Sequence, residues 1–421
     1  MLDINFIREN EEEVKKGLLK RMDTVDFTEL FAKDDERKKI IEEVEVLKAE
    51  RNKASDEIGA MKREGKNADE VIAKMKAVSD KIKELDTKLN DVKDEVFEML
   101  KVFPNIPDED VLGGGKENNK VIRAYGEKPE FEFEIKNHYD LSVDLGLVDY
   151  ERGVKLGGNN SWVYTNKGAI LEWALINYFV EEHIKDGYEF ILPPHILKYE
   201  CGYAAGQFPK FEKDVFMLEG RKKFLLPTSE TAILNLHRDE IIQDADMNKK
   251  YFSYTPCYRE EAGSYRAEER GVIRGNQFNK VEMFQFTRPE DSDKAFDELV
   301  GKAEKLVQGL GLHYVVSKLA AGDCSAAMAR TYDIEIWIPS MGIYKEVSSA
   351  SNGRDYQARR AGIRFKRDGA KKTEFIHTLN ASGLATSRLL PAILEQNQQA
   401  DGSVLIPEVL RKWFGGAEYL K

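Results

Sequence analysis

The stretch CYREEAGSYRAEERGVIRGNQFNKVEMFQF, from Cys257 to Phe286, sets Arg259, Glu261 and Glu282 on two predicted strands joined by a basic loop. Side chains alternate between the faces of a strand, so Arg259 and Glu261 share one face, as do Glu282, Phe284 and Phe286 along the second run. Charges of both signs are thereby aimed at one surface. A buried charge is costly unless it is paired or meets a ligand. Such a floor, beside Gly263, Ser264 and Arg266, suits a zwitterionic or phosphorylated substrate.

Three further segments carry groups of the same kind. In LLPTSETAI, Thr228 and Glu230 stand where an extended run turns into a helix, so they can hold a ligand ammonium or cap that helix. In YKEVSSAS, Glu346 and Ser348 alternate onto one strand face, a pairing suited to Mg²⁺ held through a carboxylate and a water or phosphate oxygen. In NASGLATSRLL, Ser382 and Gly383 precede a helix on which Arg388 sits about a turn and a half in. An arginine there reaches a phosphate or forms a surface salt bridge worth under about 1 kcal/mol.

The elements that must position these groups begin with a short helical start, MLDINFIRENEEEVKKGLLKR. From about residue 35 to 101 the chain becomes almost purely charged and aliphatic, without proline. Ile40, Val44, Leu47, Arg51, Ala54, Ile58 and Met61 step by four and three, and Gly65, Lys66 and Asn67 break the pattern. Val71, Met75, Val78, Ile82, Leu85, Leu89, Val92, Val96 and Met99 then resume it. The spacing predicts one antiparallel helical hairpin with arms of roughly 30 residues, about 45 Å each. So narrow an apolar stripe is weakly stable alone, which roots the hairpin on a larger body. A dimerisation coil and a reaching arm fit the periodicity equally well. Lys53, Lys62, Arg63 and Lys66 near the tip fit phosphate contacts as well as a solvated face.

FPNIPDEDVLGGG, Phe103 to Gly115, ends the helices and marks a boundary, giving an N-terminal domain over 1–104 and a second over 105–421. The second reads helical at Gly168 to Lys185 and Glu230 to Gln243, and extended at Tyr188 to Leu192. Strand-like runs follow, KKYFSYTPCYRE, KVEMFQFT, YDIEIWIP, YKEVSSAS and EFIHTLNAS, before a last helix in GLATSRLLPAILEQN. Successive strands with few strand–helix–strand alternations predict an α+β fold, an antiparallel sheet flanked by helices.

A net charge of -11 excludes attraction of the whole surface to nucleic acid or anionic membrane and leaves room for a local basic groove. Cys201, Cys257 and Cys324 show no CxxC pairing, and the histidines no HxxH or HExxH spacing, which argues against a disulfide framework and against zinc. A reducing cytoplasm is the expected setting. No uncharged apolar run approaches the roughly 20 residues that span a bilayer, so neither a membrane anchor nor a signal peptide is expected.

In their order and joint presence these motifs resemble a seryl-tRNA synthetase of the bacterial type, a class II aminoacyl-tRNA synthetase, over essentially the whole chain. GYEFILPP resembles the first class II signature, ending at Pro193 and Pro194. CYREEAG resembles the second, with Arg259 and Glu261 as its Arg-x-Glu, and GLATSRLLPAILE the third, with Arg388 as its arginine. PTSE at Pro227 to Glu230, QFNKVEMF at Gln277 to Phe284, EVSSASN at Glu346 to Asn352 and QARR at Gln357 to Arg360 point to serine within the class.

The resemblance implies that the carboxylate of L-serine attacks the α-phosphate of ATP, giving seryl-adenylate and pyrophosphate. The seryl group then passes to the terminal adenosine of tRNA(Ser), with tRNA(Sec) left open as a second acceptor. It assigns Arg259 to the carboxylate and α-phosphate, Glu261 to the adenine amino group with Glu260 beside it, and Arg388 to the γ-phosphate. Glu346 and Ser349 would bound Mg²⁺ carried with ATP, with Val347 and Ser348 in the same nucleotide-binding segment. Thr228, Ser229, Glu230, Glu282 and Ser382 would surround the ammonium and hydroxyl of serine. It also implies a homodimer through the catalytic domain, and makes the hairpin an arm that reaches the long variable arm of tRNA. Some positions depart from the family pattern. Tyr265, Arg266 and Ala267 replace a Gly-Arg-Asp-like run, Asn276 a histidine, Ala381 a glycine, and Thr386 and Ser387 a small Val-Gly pair. They keep a second reading open, a specialised serine-activating paralogue with an altered acceptor.

Overall fold

The four-and-three steps of the N-terminal region become two long helices, α1 (Thr28–Arg63) and α2 (Asp69–Lys101). In this computed structural model, which describes residues 1–220, 222–261 and 271–421, they belong to the first of two compact units, Met1–Pro104 and Asn105–Lys421. With 36 and 33 residues the helices extend about 54 and 50 Å. α1 begins ahead of residue 35 because Asp34, fully buried, is held within it by Arg8 Nε at 2.9 Å and Arg37 Nη2 at 2.6 Å. Ile40 and Val44 pack on Leu85, Leu89 and Val92, flanked by Lys33–Glu95 and Lys88–Glu36 ion pairs at 2.6 and 2.9 Å. Towards the tip Ile58, Met61, Val71 and Met75 are only half-buried. Gly65, at φ 71°, makes the break.

The second unit is organised on an eight-stranded sheet. Its strands are β1 (Lys120–Tyr125), β2 (Glu189–Phe190), β3 (Lys249–Tyr258), β4 (Gln277–Thr287), β5 (Tyr314–Lys318), β6 (Arg330–Ile338), β7 (Ile343–Arg354) and β8 (His377–Ala385). Their order is β1-β5-β6-β7-β8-β4-β3-β2, antiparallel throughout except where β2 runs parallel to β3. Four helices matter to the site: α3 (Asn166–Lys185), α4 (Glu230–Leu234), α5 (Ser292–Gly309) and α6 (Thr386–Gln396). One sheet face is apolar, its Val281, Met283, Leu379 and Ala381 clustering with Leu171 and Phe179 of α3, Phe296 and Leu299 of α5, and Leu389 and Ile393 of α6. The alternate residues, Lys280, Glu282, Asn380 and Ser382, therefore point to the opposite face. There Phe284 and Phe286 join Ile233 and Leu234 of α4 in a second apolar cluster.

Three expectations are corrected. The run from Glu230 to Gln243 is not one helix: α4 ends at Leu234, a tight turn follows at Asn235–His237, and Ile241–Gln243 is a strand parallel to Arg364–Lys366. Asn235 turns its amide onto the carbonyls of Thr231 (2.8 Å) and Cys201 (3.1 Å), and Asp239 sits at φ 64°, which an α-helix does not accommodate. The strand expected to carry Arg259 and Glu261 ends at Tyr258, and Glu261 lies at φ 51°, so the pleat does not aim these two side chains. α6 starts only at Thr386, because Ala385 still pairs with Lys280 across the sheet. Arg388 thus occupies its first turn. Among the described residues no helix is long and apolar enough to cross a membrane.

Candidate active site

A cleft of about 590 Å³ lies over the polar sheet face, lined among others by Thr228, Glu230, Arg259, Glu261, Lys280, Glu282, Glu346, Ser349, Asn380, Ser382 and Arg388. A recess of about 50 Å³ shares several of these and adds Phe278, Val347 and Ser387.

At one end two carboxylates, Glu230 half-buried and Glu282 buried, are bridged by one amide. Asn380 Nδ2 donates to Glu230 Oε2 at 3.3 Å and to Glu282 Oε1 at 3.2 Å, tying β8 to α4 and β4. Gln357 Nε2 donates to Glu230 Oε1 at 2.8 Å. Lys280, 6% exposed, pairs with Glu282 Oε2 and donates to Thr228 Oγ1 at 2.8 Å. Burial, and then the charge of Glu282, push the Glu230 carboxyl up to about 7, against the Gln357 hydrogen bond and the charges of Lys280 and Arg259. Of the two carboxylates Lys280 pairs with Glu282 alone, while Glu230 is held by the Gln357 and Asn380 amides, an arrangement that a second cation would complete.

The other end is cationic. Strand β3 stops at Tyr258, and the backbone beyond it is fixed by Asn276, whose Nδ2 donates to the carbonyls of Arg259 (2.9 Å) and Glu260 (3.1 Å) while its own carbonyl accepts the Arg259 N–H at 2.9 Å. The Arg259 guanidinium lies 5.2 Å from the centre of the Phe278 ring, and its Nε donates to Pro227 O at 3.4 Å. Glu261 meets Arg274 Nη1 at 2.7 Å. Arg388 Nη1 reaches Glu346 Oε2 at 3.2 Å and the Glu346 carbonyl at 2.9 Å.

Glu346 and Ser348 do not share a face. β6 and β7 pair Glu335 with Glu346 but Ile334 with Ser348, so Val347 is an extra residue and the alternation slips by one. The bulge puts Ser349, opposite Asp333, on the side of Glu346 and turns Ser348 away. Ser348 Oγ donates instead to the Ser382 carbonyl at 2.6 Å. Asp333 Oδ1 is buried without a hydrogen-bond partner, and burial followed by the charge of Glu346 holds that carboxyl well above the usual range. Among the described residues no three His, Cys, Asp or Glu side chains are grouped to hold a metal. One carboxylate and one hydroxyl on a bulge, with an unmatched carboxylate oxygen behind them, fit Mg²⁺ that draws its other oxygens from phosphate and water.

Of the residues expected at the site, Thr228, Glu230, Arg259, Glu261, Glu282, Glu346, Val347, Ser349, Ser382 and Arg388 line these two spaces. Ser229 does not; it is buried, and its hydroxyl has no partner. The Glu260 side chain is exposed; its N–H donates to Asp214 O at 2.9 Å and its carbonyl accepts from Asn276 Nδ2. Gly263 to Glu269 lie outside the described residues. Sequence reasoning missed Lys280, Asn380, Gln357 and Asp333. Lys280 and Asn380 each stand two residues before an expected ligand, Glu282 and Ser382, on the same strand face, so the period of two was a signal for both.

An antiparallel sheet with an Arg-x-Glu just past one strand, and an arginine in the first turn of the helix leaving another, defines a class II aminoacyl-tRNA synthetase. Residues 211–397 match the tRNA synthetase class II core domain (G, H, P, S and T), and residues 1–107 match the seryl-tRNA synthetase N-terminal domain. The chain is 65% identical to serine–tRNA ligase 2 of Clostridium acetobutylicum and 46% identical to the serine–tRNA ligase of Geobacter sp., each over 99% of both chains. Its fold matches the Pyrococcus horikoshii seryl-tRNA synthetase complexed with ATP at a TM-score of 0.93 and 34% identity, covering 100% of this chain and 99% of that one. The chain belongs to the seryl-tRNA synthetase family, the serine–tRNA ligases of class II.

Proposed function

We propose that the cleft activates L-serine with ATP and passes it to tRNA(Ser). The observation that carries the residue roles is the Glu230–Asn380–Glu282 arrangement, two carboxylates bridged by an amide at one end of a cleft whose other end presents Arg259 and Arg388. Carboxylates suit the serine ammonium and hydroxyl; the arginines suit its carboxylate and the phosphates. In-line attack on the α-phosphate needs no protein nucleophile, so positioning and charge neutralisation carry the step. Arg259 holds the carboxylate against the α-phosphate, Arg388 holds the γ-phosphate, and the Glu261 carboxylate accepts from the adenine amino group. Glu346 and Ser349 would hold Mg²⁺, which when bound with ATP offsets phosphate charge. A site that pairs a hydroxyl rejects alanine by roughly 10⁴ to 10⁵, and bulk excludes threonine. ATP–pyrophosphate exchange with serine, alanine and threonine, followed by charging of tRNA, tests this reading. Absence of serine-dependent exchange sinks it, while exchange without charging points to the altered-acceptor paralogue.

Glu230 sets a pH dependence. Its carboxyl must be ionised to receive the serine ammonium, and its value near 7 means that a proton is displaced on binding below that pH. Serine affinity is therefore full above pH 8 and lost as pH falls through about 7. The serine KM in exchange is expected to rise about tenfold between pH 8 and pH 6, and Glu230→Gln removes that slope while weakening binding at every pH.

Exposed apolar groups support a homodimer through this unit. Trp173 and Ile170 on α3 are 57% and 42% exposed, Leu192 is 70% and Phe190 40% exposed. Trp173 packs on Tyr254 and Phe190 on Phe252, so both stand beside one strand, β3. Replacing Trp173 and Leu192 with glutamate is expected to shift the protein to a monomer in sedimentation equilibrium; an unchanged mass places the interface elsewhere.

A further inference from the structure

The turn that carries β8 into α6 is strained and uncapped. Leu384, fully buried, stands at φ 92°, a backbone region that residues with a bulky side chain disfavour. The N-cap of α6 is Ala385, whose side chain has no oxygen to offer the free N–H groups of the first turn. Such a turn persists only where its neighbours fix it. Ala385 pairs with Lys280 of β4. Thr386, fully buried, donates its hydroxyl proton to Glu172 Oε1 of α3 at 2.5 Å, with the Asn279 carbonyl beside it at 3.2 Å. Asn279 Nδ2 donates to the same Glu172 oxygen at 2.7 Å, and its own Oδ1 accepts from the Tyr254 hydroxyl at 3.1 Å. Glu172 is only 5% exposed, and burial holds its carboxyl above the usual range in spite of these bonds. A costly buried carboxyl is thus kept beneath the start of α6, outside the cleft.

Residues two apart on an α-helix project about 200° apart, so the turn that sends Thr386 to α3 sends Arg388 to the cleft. We propose that Glu172, acting through Thr386, is a positioning residue for ATP, fixing the rotation and depth of the first turn of α6 and with them the reach of Arg388 to the γ-phosphate. Arg388 then meets the Glu346 carbonyl and carboxylate from a fixed base. Without the hydroxyl the strained turn relaxes and the guanidinium swings. Glu230 and Glu282, on α4 and β4, keep their places at the serine end. Thr386 stands where the family pattern carries valine, which has no proton for Glu172, so the anchor is a property of this chain. The inference deepens the assignment of Arg388 to the γ-phosphate and rests on it.

Thr386→Val keeps the shape of the side chain and removes the hydroxyl. In ATP–pyrophosphate exchange it is expected to raise the ATP KM about tenfold while the serine KM moves less than about twofold, and Thr386→Ser is expected to retain the wild-type ATP KM. Glu172→Gln should act in the same direction, and joined to Thr386→Val should do no more than the larger single change. The route through Arg388 is read from the Kd of ATP with Mg²⁺ by calorimetry, which a slow variant still reports. Added to Arg388→Ala, Thr386→Val is expected to weaken ATP by less than about twofold further. An unchanged ATP KM in Thr386→Val, equal rises for ATP and serine, or a full tenfold loss on top of Arg388→Ala each overturn the proposal. If Glu172→Gln does not fold, the valine and serine variants of Thr386 decide it by themselves. Failure of the underlying assignment is seen separately, as an unaltered ATP Kd in Arg388→Ala.

Discussion

Arg259→Ala is expected to lower serine-dependent ATP–pyrophosphate exchange by about 10³-fold or more, mostly in kcat. The guanidinium lines the cleft at its cationic end. Its neighbours are Pro227, one residue from Thr228, on the serine side, and Phe278, two residues before Lys280, beneath it. As the serine carboxylate approaches the α-phosphate two anions are forced together, and a fixed cation between them stabilises the charge arrangement of the transition state more than either separated ground state. The cation is fixed before substrate arrives, because Asn276 braces the Arg259 and Glu260 carbonyls. Arg259→Lys keeps the charge but loses the planar fork, and should fall between the wild type and the alanine variant. The side chain is half-buried and its neutral partner is one backbone carbonyl at 3.4 Å, so the melting temperature should move by only a few degrees. Near-normal exchange in a folded Arg259→Ala protein refutes the role.

How far the sequence discloses this site depends on which interactions are local. The arm was readable because a heptad seam is a property of each helix by itself, and the break at Gly65 was visible as a failure of that pattern. Glu282 was readable because a charge within KVEMFQF violates the apolar content of a buried strand. Errors arose where a position is set by a neighbour distant in sequence. The Val347 bulge exists only in the pairing of β7 with β6, so strict alternation placed Ser348 where Ser349 belongs. The α6 start is delayed because Ala385 is claimed by Lys280 on β4. The Lys280–Thr228 and Asn380–Glu230 contacts join residues 52 and 150 positions apart, and no periodicity reports them. Asn276, noted only as a departure from the family pattern, is structurally employed, bracing the backbone at Arg259 and Glu260.

Removing Lys48 to Glu84 and closing the gap with a glycine-rich turn is expected to leave exchange within about twofold of the intact chain while lowering serylation of tRNA by about 10²-fold or more. Exchange is spared because every residue lining the cleft lies between Gln207 and Arg388, in the second unit. The root of the hairpin is kept, since Ile40, Val44, Leu85, Leu89 and Val92 all remain. What is lost is the distal part of both helices, with Lys53, Lys62, Arg63 and Lys66 exposed on it. The apolar seam of α1 is met by that of α2, so the periodicity is accounted for within one chain and requires no coil between chains. A helix pair of about 50 Å that spends its apolar residues on itself, and ends in exposed cations, is suited to reach a polyanion. Serylation by the intact protein should fall steeply with salt, and changing the four tip cations to glutamine should flatten that dependence without altering exchange. If the shortened protein instead dissociates in sedimentation equilibrium, the hairpin is the dimerisation coil. If exchange and serylation fall together, the arm supports the fold of the catalytic unit. Loss of serylation alone, from a dimer that still activates serine, leaves tRNA capture as the function of the arm.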